Sequence, residues 1–361
     1  MDKLFEKVYI NKLDLKNRII RSATNEHLSD CEGNVTEELM KTYIQLAKGG
    51  VGLLITGHYS VDREIRADIG QPVLDDKIDR AKLRAMISKV HKENCKIFIQ
   101  ISHPGPKAGV YNTSKYRKSP AEYSEKELLD ITNLYIDGAV IAKDLGFDGI
   151  QVHMAHGYFL SSFIDPVQNT RADSFGGTTE KRFYASSCII KGIKEACGES
   201  YPVIVKINSN ASDPSKDYTN DFKKVVELCI ESGVDAIEVS GNDFNNMPPK
   251  LDRPYYLENI LKANIAFAFT VPVILTGGID TRDKMEMVID KGIPLVGVSR
   301  CLINNPSFIN ELKSGEMDKS SCKRCNRCYT SCKESYKRCI LHDREIEHFK
   351  RLYSAVKSSA T

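Results

Sequence analysis

The stretch AKDLGFDGIQVHMAHGY, residues 142–158, contains the connection that decides the fold of this chain. A helical run ends at Gly146, because glycine enters the left-handed conformation at a helix end with little strain. A β-branched run begins shortly after it. The same pattern recurs in LCIESGVDAI, residues 228–237, where Gly233 takes the place of Gly146. Helices and strands that alternate in this way predict parallel strands with right-handed crossovers.

Eight short apolar runs are candidate strands, and their lack of alternation is typical of strands buried on both faces. They are residues 18–21, 51–56, 96–101, 148–153, 202–208, 236–240, 272–276 and 295–298. Stretches with helical spacing lie between them, namely residues 36–49, 76–94, 125–146 and 178–198. Eight such units predict an α/β protein with a (β/α)₈ TIM barrel. A doubly wound sheet, the main alternative, would need a glycine-rich dinucleotide loop after its first strand, and residues 21–25 have none.

The composition excludes several classes of protein. The 361 residues carry 51 basic and 48 acidic side chains, and a net charge of +3 is too balanced to indicate a nucleic-acid partner. No apolar run approaches the roughly 20 residues that span a bilayer. The first residues also lack the layout of a signal peptide. We therefore expect a cytoplasmic protein without a membrane partner.

Polar side chains follow the fourth candidate strand, and catalytic groups of barrels collect at the carboxyl ends of the strands. His153, His156 and Tyr158 lie within six residues there. A lone histidine is usually structural, but two imidazoles at one strand end could bind a metal ion or bracket one carbonyl oxygen. No third metal ligand is evident nearby, which weakens the zinc interpretation. Because the Tyr158 hydroxyl is suited to delivering a proton, we predict that all three residues are catalytic.

The loops after the last two candidate strands have the features of a phosphate site. Gly277 and Gly278 follow the seventh strand and Arg300 follows the eighth. Backbone N–H groups at a glycine pair, a following helix N-terminus and a guanidinium together suit a phosphate group. An ordinary tight turn is the alternative interpretation of the glycine pair.

Two polar residues stand inside apolar strands. A buried lysine is costly unless it is paired, so Lys206 either forms a salt bridge within the barrel or faces the pyrimidine edge of a flavin. Gln100 likewise needs hydrogen-bond partners, and a flavin ring would supply both donors and acceptors.

In this order, these residues resemble the Old Yellow Enzyme family of FMN-dependent ene reductases, over about residues 1–312. The resemblance begins with LKNRIIRSAT (15–24) and continues through GVGLLITG (50–57) and IFIQ (97–100). It is most specific in GFDGIQVHMAHGYFL (146–160), which runs on into FIDP (163–166) and NTRADSFGG (169–177).

The resemblance implies FMN as cofactor and NAD(P)H as reductant. Thr24 would hydrogen-bond the flavin carbonyl beside N5, and Lys206 would face the N1 edge. The other implied contacts are Ala23, Gly57 and Gln100 around the ring, and Gly277, Gly278, Ser299 and Arg300 around the phosphate. Ser299 stands where the family commonly has glycine.

The resemblance also implies the roles of the catalytic residues. His153 and His156 would bind the carbonyl oxygen of the substrate, hydride would reach its β-carbon, and Tyr158 would protonate its α-carbon. Two donors aimed at a developing enolate stabilise the transition state more than the ground state.

The final segment, residues 313–361, is rich in cysteine, lysine and arginine, and we interpret it as an appendage to a barrel of residues 1–312. Cys322, Cys325 and Cys328 are spaced C-x₂-C-x₂-C, a strong ligand pattern, with Cys332 and Cys339 beyond. A helix is predicted near residues 344–356.

The cysteine pattern is similar to the [4Fe–4S] site of larger family members such as 2,4-dienoyl-CoA reductase and trimethylamine dehydrogenase. Those proteins also carry a C-terminal nucleotide-binding domain, which we do not expect here. An iron–sulfur cluster, a zinc site and a vestigial thiol cluster remain open. We assign Cys322, Cys325, Cys328 and Cys339 as the metal set, and either Cys332 or Cys339 could be the fourth ligand.

The predicted function is reduction of the activated C=C bond of an enone, an enal or another conjugated small molecule. The alternatives are a flavin/iron–sulfur reductase or amine demethylase with a redox partner, a flavin-free barrel lyase or isomerase, and a non-catalytic flavin-binding protein. A homo-oligomer is a further expectation.

Overall fold

The computed structural model describes residues 2–109, 117–242, 251–265, 270–331 and 336–340. The chain opens with a short antiparallel hairpin of β1 (Val8–Ile10) and β2 (Leu13–Leu15). Sequence analysis did not predict this hairpin.

Eight parallel strands then close into a barrel, in which β10 pairs with β3. The strands are β3 (Ile19–Arg21), β4 (Leu53–Ser60), β5 (Lys96–Ser102), β6 (Gly149–Met154), β7 (Val203–Asn208), β8 (Ala236–Ser240), β9 (Val273–Thr276) and β10 (Leu295–Val298). All eight predicted strands are confirmed in the predicted order, and with them the (β/α)₈ barrel. One boundary differs clearly: β4 runs on to Ser60, with an irregular register between Ile55 and His58.

The α-helices lie outside the barrel or follow its strands. They are α1 (Glu37–Lys48), α2 (Arg80–Lys92), α3 (Glu125–Leu145), α4 (Phe159–Ile164), α5 (Thr179–Cys197), α6 (Thr219–Glu231), α7 (Leu257–Lys262), α8 (Arg282–Asp290), α9 (Arg300–Asn304), α10 (Phe308–Ser314) and α11 (Arg327–Ser331). Helix α3 shows the local logic, because a Ser124–Glu127 capping box begins it and Gly146, with φ of 96°, ends it. Among the described residues, no helix is both long and apolar enough to cross a bilayer.

The inside of the barrel is apolar at the amino ends of its strands. The residues there form one buried cluster, which Ile10 and Leu15 of the hairpin join: Ile20, Leu53, Ile55, Phe98, Ile204, Ala236, Ile274 and Leu295. The hairpin therefore covers this end of the barrel, and the polar interior begins one layer above it. A second and larger apolar cluster packs the strands against the helices.

The cysteine-rich segment packs against the barrel instead of extending away from it. Thr281 and Lys319 form an antiparallel bridge, and the Ser320 N–H donates to the carbonyl of Asp280 at 2.9 Å. Further on, the Lys337 N–H donates to the Glu26 carbonyl at 2.8 Å. Helix α10 spans the boundary that we placed between residues 312 and 313, so the division into two parts stays a prediction. Cys332 and the helix predicted near residues 344–356 lie outside the described residues.

Candidate active site

A layer of polar side chains lies directly above the apolar interior of the barrel. Because successive side chains of a strand point to opposite faces, the residue two positions after each apolar one also faces inward. This rule brings Gln100, Lys206, Glu238 and Thr276 into one layer, which begins the carboxyl end of the barrel, and Gln151 joins it through its hydrogen bonds to Gln100 and Glu238.

The members of this layer are paired with one another. The Lys206 ammonium lies 3.0 Å from a Glu238 carboxylate oxygen. The Gln151 amide donates to Glu238 at 2.7 Å, as does the Thr276 hydroxyl, and the Gln100 amide donates to Gln151 at 2.7 Å. Both interpretations of Lys206 are therefore compatible with its position, because it forms a salt bridge and also lines the central cavity.

The charge state of this layer follows from its contacts. Burial alone would raise the pKa of the Glu238 carboxyl, but Lys206 and three hydrogen bonds lower it below its ordinary value. Lys206 also donates to the Ser22 hydroxyl at 2.8 Å. A fixed cation with an ionised partner thus lies in the cavity wall.

The three predicted catalytic residues lie together above this layer. The ring centroids of His153 and His156 are 5.2 Å apart, and those of His153 and Tyr158 are 4.8 Å apart. His156 Nε2 lies 3.1 Å from the Ser240 hydroxyl. His153 Nδ1, in contrast, is buried with no hydrogen-bond partner among the described residues.

Both imidazoles are neutral at physiological pH. Burial, the neighbouring His156 and His58, and Lys206 hold the pKa of His153 well below its ordinary value. Burial, Lys206 and His58 do the same for His156. A neutral imidazole has one N–H to donate, so the pair can hydrogen-bond a substrate oxygen without bringing a charge to it.

The predicted phosphate site lies across the cavity. Gly277 and Gly278 have φ of 128° and 72°, which favour glycine. A methyl group at Gly277 would lie 2.9 Å from the ring of Tyr256, and one at Gly278 would lie 3.1 Å from the ring of Tyr255. Glycine is therefore needed at both positions, because the positive φ angles disfavour other residues and a side chain would be too close to a tyrosine ring.

Ser299 and Arg300 complete this side of the cavity. The Ser299 hydroxyl lies 2.7 Å from that of Thr24, and the Arg300 guanidinium donates to the Asn326 side chain at 2.7 Å. Ala23 lines the cavity as well, whereas Gly57 does not. Gly57 lies behind the wall, where a methyl group would meet the Thr24 carbonyl at 2.7 Å.

Residues of the cysteine-rich segment line the same cavity. Arg324 donates to the Gly278 carbonyl at 2.9 Å and to Asp280 at 2.8 Å, and its guanidinium lies 5.9 Å from the Tyr255 ring centroid. Cys322 and Cys328 line the cavity.

The predicted metal set is only partly brought together. Cys325 is exposed, while Cys322, Cys328 and Cys339 are half-buried. Within the described ranges, no three His, Cys, Asp or Glu side chains are grouped to hold a metal ion. The assignment of the four cysteines stays a prediction.

The cavity measures about 1170 Å³, above the roughly 300–1,000 Å³ of typical small-molecule sites. The predicted residues that line it are Ala23, Thr24, Gln100, His153, His156, Tyr158, Lys206, Gly277, Gly278, Ser299, Arg300, Cys322 and Cys328.

Several residues at this site were missed. Glu238 and Gln151 interrupt apolar strands just as Lys206 does, so the same signal could have found them. His58 follows the second predicted strand, so its place at a strand end was a signal, but no role was assigned to it. Gln71 gave no signal, because it lies in the loop beyond β4. The sequence did not distinguish Arg324 from the other basic residues of its segment.

Comparison with known proteins places the chain in a family. The sequence model of the NADH:flavin oxidoreductase / NADH oxidase family matches residues 3–319. An NADH oxidase of Thermoanaerobacter brockii is 31% identical over 352 residues, covering 91% of this chain and 53% of its own. The chain thus spans about half the length of this relative.

Solved structures share the fold. A complex of 2-naphthoyl-CoA reductase with 2-naphthoyl-CoA superposes with a TM-score of 0.86 at 20% identity, over 98% of this chain and 58% of its own. An Old Yellow Enzyme from Pichia sp. gives 0.73 at 21% identity, over 89% of each chain. Membership of the matched family implies a flavin and a reduced nicotinamide. The resemblance seen in the motifs is confirmed, and the chain belongs to the NADH:flavin oxidoreductase / NADH oxidase family.

Proposed function

We propose that the protein is an FMN-dependent oxidoreductase that reduces the activated C=C bond of an α,β-unsaturated carbonyl compound with electrons from NAD(P)H. The observation that carries the proposal is the position of His153, His156 and Tyr158 together in the wall of the central cavity. A substrate carbonyl oxygen bound there could accept a hydrogen bond from each neutral imidazole.

The residues across the cavity fit FMN. Arg300 and the backbone of Gly277 and Gly278 would hold its phosphate, with Ser299 beside them. Lys206, Gln100, Ala23 and Thr24 would surround the ring, and Gly57 would support Thr24 from behind. FMN, when bound, would supply the hydride that reaches the substrate β-carbon.

The side chains of this protein would polarise the substrate and supply the proton. His153 and His156 would donate hydrogen bonds to the substrate oxygen and polarise its conjugated double bond. Because both pKa values are lowered, the imidazoles stay neutral and act as donors without becoming acids. Tyr158 would transfer its hydroxyl proton to the α-carbon.

A second candidate is a flavin/iron–sulfur reductase or amine demethylase that receives or passes electrons through the cysteine-rich segment. It is favoured by the position of Cys322 and Cys328 in the wall of the same cavity. The described residues do not form a metal site as they stand. Cytoplasmic location and a homo-oligomeric state likewise stay predictions.

Replacement of Tyr158 by phenylalanine tests the first candidate. We expect the rate of enone reduction by the reduced enzyme to fall about 10²- to 10⁴-fold, the usual contribution of a positioned acid. Reduction of the flavin by NAD(P)H should be nearly unchanged, because that step needs no proton from Tyr158. Stopped-flow measurement of the two half-reactions separates them.

Tyr184→Phe is the matched control, since Tyr184 is exposed on α5 and lies outside the cavity. A preparation without flavin absorbance would contradict the proposal entirely. Equal losses in both half-reactions would refute the proton-donor role of Tyr158.

A further inference from the structure

His58 is a third histidine at the site, buried as His153 is, and the proposed reaction does not use it. Its Nε2 lies 3.3 Å from the Tyr158 hydroxyl oxygen, a long hydrogen bond, and the two rings meet edge to face at 5.1 Å. It lines the cavity beside His153, whose ring centroid is 6.0 Å away. His58 therefore contacts the predicted acid directly.

Gln71 lies on the other side of the His58 ring and is fully buried. The Ala67 N–H lies 2.6 Å from the Gln71 side-chain oxygen, and an N–H can only donate. This contact fixes the amide orientation, so the Gln71 nitrogen faces His58 Nδ1 at 2.6 Å. The same nitrogen also lies 3.3 Å from the His58 carbonyl oxygen, an acceptor, as expected of an NH₂ group.

These contacts set the position of the proton on His58. An amide nitrogen only donates, so Nδ1 must accept and cannot carry hydrogen. Burial lowers the pKa of His58 to about 4, so the ring is neutral and carries its one hydrogen on Nε2. That hydrogen points to the oxygen of Tyr158.

We propose that Gln71 and His58 are positioning residues, which form a hydrogen-bond relay that prepares Tyr158 to act as the acid. The inference rests on the proposed function. His58 donates to the Tyr158 oxygen, so this contact does not use the proton that Tyr158 must deliver. When the O–H bond breaks and a C–H bond forms at the α-carbon, the electron pair stays on the phenolate oxygen. The His58 N–H stabilises that charge, and water then restores the proton.

The first test is the tautomer of His58, read in the wild-type holoenzyme by ¹⁵N NMR with labelled histidine. We expect Nε2 to be protonated and Nδ1 to be bare. Gln71→Met should leave the tautomer mixed, because its side chain has a similar length and no donor. A hydrogen on Nδ1 in the wild type would overturn the proposal whatever the activities are.

The second test compares half-reactions. We expect His58→Phe to slow enone reduction about 10- to 100-fold, as suits one lost hydrogen bond to a developing charge, and to leave flavin reduction by NAD(P)H unchanged. His58→Gln, which can place an N–H near the same point, should recover much of the rate. A fall in His58→Phe that His58→Gln does not recover would refute the relay.

The double variant separates this inference from the proposed function. The loss in His58→Phe/Tyr158→Phe should equal that in Tyr158→Phe alone, because His58 acts through Tyr158. If Tyr158→Phe is slow and His58→Phe is not, the relay fails and the proposed function stands. If Tyr158→Phe itself reduces enones normally, the proposed role of Tyr158 fails first.

Discussion

The two sides of the cavity are built differently. On the barrel side, Lys206, Glu238 and Gln151 are buried and satisfy one another through short hydrogen bonds. On the side of the cysteine-rich segment, Cys322 and Cys328 are half-buried and Cys325 is exposed. The barrel side is thus held in place by its own contacts before anything binds. The contacts that attach the cysteine side to the barrel include the hydrogen bonds of Arg324 to Asp280 and to the Gly278 carbonyl.

Removal of Glu238 should have the largest effect. Glu238→Ala leaves the Lys206 ammonium buried without its anion, and breaking such a pair typically costs about 3–5 kcal/mol. The free energy of unfolding, measured by urea denaturation, should fall by that amount. Glu238→Leu combined with Lys206→Met should recover most of the loss, since it removes both charges. A loss below about 1 kcal/mol in Glu238→Ala would mean that the layer is not the rigid side of the cavity.

Removal of Arg324 should have an intermediate effect. Arg324→Met loses hydrogen bonds to Asp280 and to the Gly278 carbonyl, but Asp280 keeps Lys284 at 3.0 Å. We expect the free energy of unfolding to fall by about 1–2 kcal/mol, within the range for hydrogen bonds to charged groups.

Lys323→Met is the control for Arg324→Met, because Lys323 is the adjacent residue and is exposed. Its effect should stay within about 0.5 kcal/mol, as for most surface changes. Equal effects in the two variants would show that the segment is not anchored through Arg324.

Replacement of Cys325 should have the smallest effect on the metal-free protein. Because Cys325 is exposed, Cys325→Ser should change the free energy of unfolding by less than about 0.5 kcal/mol. After anaerobic reconstitution with iron and sulfide, the predicted metal set implies less bound iron in this variant than in Cys188→Ser, which changes a cysteine outside the segment. Equal iron in both would contradict the assignment of Cys325.

Sequence reasoning identified the barrel because each strand that is buried on both faces is a short run of apolar residues, which can be recognised even when it is only a few residues long. It predicted that His153, His156 and Tyr158 lie together, because they follow one strand end. It also found half of the central ion pair, since Lys206 is conspicuous within VIVKI, while Glu238 went unnoticed in AIEVS.

The remaining features depend on contacts between distant parts of the chain. The Tyr158–His58 hydrogen bond joins residues 100 positions apart, and the contact of Arg324 with Gly278 joins residues 46 apart. Gly57 lies behind the Thr24 backbone, although the motif places it at the ring, so its assignment as a flavin contact stays a prediction. Local patterns could not reveal these contacts, since each depends on how loops cross the carboxyl end of the barrel.

The closure of the barrel has a consequence for synthesis of the chain. Ile19 of β3 pairs with Val296 of β10, so the ring is completed only after the 277 positions that separate them have been made. Until then β3 has one open edge, and an open strand edge is a template for unwanted pairing. Pairing between residues so far apart is also slow to form. The nascent chain therefore has a long interval in which aggregation competes with folding, and β3 is the edge most in need of protection.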